Sequence, residues 1–285
     1  KALEFYEKSY LIAKEIGDKQ GMGLSVNSIG AMYSFQGKYD KATEYYRRSL
    51  NIKEELGDQS GTGRVLMNIG LIYFNKGDFE KTLEYYERSL AISEEIGDKY
   101  GMGLLLNNIG IFHQNQGNYN KALNYFKRSL TIIEELGNKG RIGGNLTAIG
   151  IVYYRKGEYE KALDYYIRSL TIIEELGDKG RIGQSLNNIG VVHKNKGDYD
   201  KALDYYIRSI AINEELGDKR GIGYSLNNIG NVHYDKGAYD KAIESLEKSL
   251  AIQKEIGSKS IELFTITYLN LSYRHLSRDY DEKHL

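Results

Sequence analysis

Residues 178–217 read DKGRIGQSLNNIGVVHKNKGDYDKALDYYIRSIAINEELG, and this stretch decides the fold. Asp178 suits an N-cap, where its carboxylate accepts from the free N–H groups of a first helical turn. Ile182, Leu186, Ile189 and His193 follow three-and-four spacing, which predicts a helix A running to about Asn195. Lys196-Gly197 ends it, the glycine supplying a left-handed position just past the helix. Asp198 or Tyr199 opens a helix B whose buried side is marked by Ala202, Tyr206, Ile210 and Ile212. Gly217 stops helix B, and Asp218 caps the next helix A.

The pattern repeats outward in both directions. Lysine recurs at Lys1, Lys41, Lys81, Lys121, Lys161, Lys201 and Lys241, forty residues apart with no insertion. Four glycine columns, beginning at Gly17, Gly23, Gly30 and Gly37, hold 25 of the 32 glycines. An abundance that elsewhere signals low-complexity sequence is here architectural. The repeats divide the chain into a helix B at 1–17, complete hairpins at 18–57, 58–97, 98–137, 138–177, 178–217 and 218–257, and a divergent partial repeat at 258–285. Within the last, 258–277 reads as a helix A and 278–285 as the start of another helix B. Lys1 falls inside a repeat, so the chain reads as a piece of a longer one. A lone helix B at one end and a lone helix A at the other are complementary, which leads to an expectation of head-to-tail self-association.

Composition excludes several classes of function. Thirty-nine basic and 39 acidic residues leave no net charge, against the basic excess of a general nucleic-acid binder or a polybasic membrane-surface protein. With no cysteine there is neither a disulfide nor a thiolate metal site, and no apolar run spans a bilayer. These features fit a cytoplasmic protein. His113 and His193 share a column with Tyr33, Tyr73 and Tyr153, which marks an aromatic packing position rather than a metal site, and His233 belongs to the same column. His275 and His284 match no ligand spacing. No nucleophile–base motif appears, and the acids recur in every repeat, so no enzyme, cofactor or metal is expected. Asn145-Leu146-Thr147 and Asn270-Leu271-Ser272 match the glycosylation sequon, a frequent chance pattern.

Packing accounts for most of the remaining repeated residues. A glycine in mid-helix, as at Gly190, costs about 1 kcal/mol against alanine and implies close approach of two helices. The pairs Tyr45-Tyr46, Tyr85-Tyr86, Tyr165-Tyr166 and Tyr205-Tyr206 point about 100° apart on a helix. One of each is expected in the core and the other against the neighbouring hairpin. Glu44–Arg48, Glu84–Arg88, Asp164–Arg168 and Asp204–Arg208 have the favourable i,i+4 order on a solvated face.

The Leu-x-x-Ile-Gly-x-x-Tyr/His run of helix A and the Lys-Ala-x-x-Tyr-Tyr run of helix B resemble tetratricopeptide repeats. The forty-residue length and Gly-Asp-Lys joints are similar to the long-repeat subgroup that includes the Pins and LGN adaptors and bacterial signalling proteins. The proline usual after helix B is missing, and Gly-Asp takes its place. The resemblance implies an all-α fold: a right-handed superhelical solenoid of antiparallel helical hairpins, with the A helices lining a concave groove. It also implies a protein-interaction scaffold that holds an extended peptide, or alternatively the sensory arm of a larger cyclase, kinase or protease.

On that frame, the helix A columns outside the core are candidates for contact with a partner. They are rich in amides: Asn27, Asn107, Asn187 and Asn227; Asn68, Asn108, Asn188 and Asn228; Asn75, Asn115 and Asn195. Asparagine is a mediocre helix former, so a dense mid-helix set needs a cause. Either the amides bond between neighbouring hairpins, or they grip the backbone of an extended peptide. Arg64, Phe74, Tyr154, Lys194, Tyr224 and Tyr234 share the face, beside Leu24, Phe35, Leu71, Leu104, Ile111, Arg155 and Asp235. This mixture suggests a partner with hydrophobic anchors and acidic character. The lysine of the chaperone-cofactor carboxylate clamp has no counterpart in the Asn27 column.

Overall fold

The computed structural model describes residues 1–284, apart from the side chains of Ser260 and residues 278–284. The partial helix B expected over 278–285 therefore lies outside the described side chains, and so does His284. Among the described residues every regular element is an α-helix. The helices fall into two compact units, Lys1–Asn138 and Lys139–Leu285.

The first unit holds α1 (Ala2–Glu15), α2 (Lys19–Phe35), α3 (Tyr39–Glu55), α4 (Gln59–Lys76), α5 (Phe79–Glu95), α6 (Lys99–Asn115) and α7 (Tyr119–Glu135). The second holds α8 (Lys139–Arg155), α9 (Tyr159–Glu175), α10 (Lys179–Asn195), α11 (Tyr199–Leu216), α12 (Lys219–Asp235), α13 (Tyr239–Ile256) and α14 (Lys259–His284). Each A helix packs along the B helix that follows it, as in α4 with α5 and α10 with α11. Successive A helices also touch, α4 with α6 in one unit and α10 with α12 in the other.

Local chemistry sets the helix ends. Asp18, Asp58, Asp98, Asp178 and Asp218 accept first-turn N–H groups as N-caps, Asp178 Oδ1 from Arg181 N at 3.1 Å. The joint glycines from Gly17 to Gly257 all have positive φ, Gly197 reaching 82°. Ser277 stands where that column would continue, and α14 passes through it without a break. The new helix expected at 278 therefore does not begin: without a residue suited to the left-handed conformation, the backbone keeps its helical course.

The glycine of the Gly30 column in each helix A lies against one large side chain of the following helix B, an aromatic ring in five hairpins and Leu246 in the sixth. A Cβ on Gly70 would meet Tyr86 Cδ1 at 2.6 Å, and one on Gly150 would meet Tyr166 Cδ1 at 2.7 Å. Tyr46, Tyr86, Phe126, Tyr166, Tyr206 and Leu246 fill this position, all buried. A second link also recurs in all six hairpins: a buried serine hydroxyl donates to a helix A glycine carbonyl. Ser49 bonds Gly23 at 2.9 Å, Ser129 bonds Gly103 at 2.7 Å and Ser209 bonds Gly183 at 2.8 Å.

The first tyrosine of each pair stacks on its own hairpin rather than chiefly on the neighbouring one. Tyr45 lies 5.4 Å from Tyr33, Tyr165 lies 5.4 Å from Tyr153, and Tyr205 lies 5.5 Å from His193. Its ring runs along helix B toward the A helix that precedes it, because its neighbour in sequence already occupies the glycine notch. Arg48, Arg88, Arg128, Arg168 and Arg208 cover the outer faces of these rings at 5.1 to 5.6 Å. The expected ion pairs form at Glu84–Arg88, Asp164–Arg168 and Asp204–Arg208, at 3.7 to 3.9 Å. Glu44–Arg48 is not among the ion pairs of the described residues: Arg48 lies instead between the rings of Tyr10 and Tyr45.

Candidate partner-binding face

Packing leaves one side of every A helix uncommitted. In α10, Ser185, Leu186, Ile189, Gly190, Val192 and His193 are buried. Gln184 and Asn195 remain exposed, and Asn188, Val191 and Lys194 remain half-buried. Asn187 sits at the seam, only 8% exposed.

The amides divide into two groups. Asn228 Nδ2 donates to Asn187 Oδ1 at 3.0 Å, and Asn68 Nδ2 donates to Asn27 Oδ1 over a longer 3.4 Å. Both bonds join successive A helices across a separation of 41 residues. Buried Asn227 accepts from Thr265 Oγ1 at 2.9 Å. Asn195 Nδ2 donates to Tyr154 Oη at 2.9 Å, again 41 residues away, and to Val191 O at 2.9 Å. By contrast, the side chains of Asn107, Asn108, Asn115 and Asn188 make no hydrogen bond among the described residues. At the 41-residue pairing, Asn108 finds Met67 and Asn188 finds Thr147 where the ladder needs an amide, and position 148, paired with Asn107 in the register, is alanine. Even within the ladder, a primary amide has two donors and an acceptor with two lone pairs, so one bond leaves capacity for another.

The remaining face differs between the units. In the first, Leu24, Phe35 and Leu71 are exposed, Phe35 by 88%. Phe74 is half-buried, its ring tilted against Phe112 at 6.3 Å, while Arg64 is exposed. In the second unit, Lys194 pairs with Asp235 at 3.0 Å, which cancels one of the cations behind the expected basic bias. Tyr234 packs among Tyr239, Tyr268 and His275. Tyr224 remains 47% exposed. It borders a cavity of about 380 Å³ together with Gln184, Asn187, Asn188, Asn213 and Arg220. Small residues at Gly183, Ser209, Gly221 and Ser225 open this space between α10, α11 and α12.

His113 and His193 stack on Tyr125 and Tyr205, as an aromatic column requires. Among the described residues no group of His, Cys, Asp or Glu is placed to hold a metal ion. No helix of the described residues is long and apolar enough to cross a membrane. Asn145 of the first sequon is buried in α8, which closes it to modification. One feature beyond sequence reasoning is Lys53, buried on α3 with its ammonium 2.8 Å from the Asp58 carboxylate. The column offers no signal for it, since the same position carries Ser93, Ile133, Ile173, Asn213 and Gln253.

These features define a helical-hairpin repeat protein with an amide-rich face on its A helices. The tetratricopeptide repeat model matches residues 1–55, 61–135, 101–175, 144–194 and 181–255, and the chain belongs to that family. Comparison with curated protein sequences yields no match. Several solved structures share the fold. BtubC (BKLC) from P. vanneervenii is 22% identical, with a TM-score of 0.69 over 76% of this chain and 91% of that one. A signal transduction ATPase with numerous domains (STAND), carrying a tetratricopeptide repeat sensor, from Pyrococcus horikoshii, is 21% identical, with a TM-score of 0.71. That match covers 95% of this chain and 42% of the larger protein. A Rap protein complexed with competence and sporulation factor is 16% identical, with a TM-score of 0.60 over 97% of this chain and 86% of that one. As a tetratricopeptide repeat protein, the chain has an interaction or regulatory role.

Proposed function

We propose that the A helices hold an extended segment of a partner protein, gripped by the side-chain amides that packing leaves uncommitted. The observation that carries this reading is the set Asn107, Asn108 and Asn188. All three are half-buried on the A-helix face, and their side-chain amides are unbonded among the described residues. An extended backbone offers alternating N–H and C=O groups, and a primary amide can meet both at once. Asn188 borders the 380 Å³ cavity, whose size and mixed lining suit one side chain of such a segment. In the first unit, exposed Leu24, Phe35 and Leu71 supply apolar anchoring. With Lys194 paired to Asp235, the acidic character of the partner rests on Arg64, Arg155 and Arg220. No catalytic step is assigned to the chain.

The test is selection from a displayed library of random peptides on the immobilised chain. The expected result is enrichment of sequences whose binding is lost in Asn107→Ala/Asn108→Ala or in Asn188→Ala. Failure to enrich any sequence, or binding indifferent to all three substitutions, contradicts the proposal. A second reading, a sensory arm of a larger signalling protein, draws support from the likeness to the STAND protein with its repeat sensor. It is compatible with the same binding face, and an effector domain in the full-length gene would support it.

A further inference from the structure

The third hairpin departs from the others in one coordinated way. In five of the six hairpins, helix B carries an acid at the second position and another four residues later, as Asp200 and Asp204 do in α11. In α7 both are amides, Asn120 and Asn124, and the residue before the helix is Asn118 where α11 has Asp198. Residues 116–133 contain Lys121, Lys127 and Arg128 and no carboxylate. The helix thereby forgoes the favourable interaction of a first-turn acid with its N-terminus.

The acids that stand at the equivalents of positions 118 and 124 in other hairpins have partners there. Asp198 pairs with His193 at 3.2 Å, and the equivalent His113 leaves Nδ1 buried with no hydrogen-bond partner. Asp204 pairs with Arg208, and the equivalent Arg128 has no ion pair among the described residues. Asp78 pairs with Lys81 and Glu158 with Lys161, whereas Lys121, in the same column, has Asn118 in place of an acid. His113, Asn120, Lys121, Asn124, Tyr125 and Arg128 all border a single cavity of about 530 Å³ between α5 and α7. His113 is only 8% exposed.

We propose that this cavity binds a carboxylate side chain from an acidic segment of a partner protein. The partner supplies the negative charge that the other hairpins carry on their own helix B. Lys121 and Arg128 give the ion-pair contacts, Arg128 holding its guanidinium against the Tyr125 ring 5.6 Å away. Asn124 adds neutral donors. Glu87 also borders the cavity. It disfavours a doubly charged phosphate more than a single carboxylate, and it leaves the site weakly cationic. The cavity lies on the side of the B helices and does not depend on the A-helix face proposed above.

The test is a nuclear magnetic resonance titration of the isotope-labelled full chain with acetylated hexaglutamate amide and, separately, with inorganic phosphate. Hexaglutamate is expected to shift the Arg128 Nε–H, Asn124 amide and Tyr125 resonances. The variant Asn120→Asp/Asn124→Asp restores residues that the other hairpins carry, so its helical circular dichroism is expected to match wild type. It is expected to weaken hexaglutamate binding by at least about tenfold, because like charges then face each other across the site. Unmoved wild-type resonances, or equal binding by the variant, overturn the proposal. Phosphate binding as tight as hexaglutamate binding at the same resonances also overturns it, in favour of a free-anion site.

Discussion

Helix α8 carries two glycines whose substitution by alanine should have opposite effects. Gly144 is exposed, and a Cβ there would meet only Arg181 Nη2 at 3.7 Å, an ordinary contact. Gly150 is buried, and its Cβ would lie 2.7 Å from both Cδ1 and Cε1 of Tyr166. Alanine gains about 1 kcal/mol over glycine in a helix interior wherever there is room. Gly144→Ala is therefore expected to stabilise by about 0.5–1 kcal/mol. At Gly150 the same gain is opposed by the clash. Carbon–carbon contacts are comfortable at about 3.5–4.0 Å, so the ring would have to retreat by about 1 Å. Tyr166 is only 3% exposed and is packed on every side, so it cannot simply swing into solvent. Overpacking of this kind costs about 1–3 kcal/mol, more when the backbone must shift, and outweighs the helical gain. Gly150→Ala is thus expected to lower stability by up to about 2 kcal/mol net. Urea denaturation followed by circular dichroism, with amide hydrogen exchange in α8 as a local probe, measures both variants. Equal stabilisation by the two substitutions would refute the view that the glycine column exists to seat the aromatic ring.

Other consequences can be checked separately. Ser209→Ala removes the buried bond to Gly183 O and should cost about 1 kcal/mol in the same denaturation assay. The Asp58 carboxyl is held below its ordinary range, first by the Lys53 ammonium and then by the Gly61 N–H. Its contribution to stability is present above the unfolded-state value of 3.8 and is lost as pH falls through the lower folded value. Lys53→Met should therefore shrink the stability change seen on acidification below about pH 4, and identical acid limbs would contradict this. Burial pushes the Tyr46 and Tyr86 phenols up to about 12. Their contribution is complete below the ordinary value of 10 and is lost as pH rises toward 12, so ultraviolet titration should show late-ionising tyrosines and alkaline unfolding in that window.

The fold was legible because it is written several times over. Asp178, Gly197 and Gly217 mark helix ends by residue type alone, and recurrence at forty residues separates such signals from chance. The glycine notch was legible as close packing, although not the ring that fills it. Less visible were contacts that depend on which way a side chain turns. Tyr45 and Tyr46 are neighbours of the same type, and only their position relative to α2 sends one into the core and the other onto Tyr33. The burial of the serine column has no signal in residue type, because it depends on the reach of each hydroxyl to a glycine carbonyl of the facing helix. On the candidate face, the asparagine columns were found from sequence, but their division was not. Whether Asn228 reaches Asn187 depends on how two hairpins stack, and the interruptions at Met67 and Thr147 become meaningful only once the 41-residue pairing is known.

The split of the amides into bonded and open groups separates binding from stability in two single variants. A peptide enriched on the wild-type chain is titrated calorimetrically into Asn188→Ala and Asn228→Ala, with the stability of each variant measured in parallel. Asn188→Ala is expected to weaken binding while leaving the denaturation midpoint in place. Asn228→Ala, which breaks the bond to Asn187, is expected to lower the midpoint. A stability loss in Asn188→Ala with unchanged affinity would place Asn188 among the structural amides and leave the binding face without its anchor.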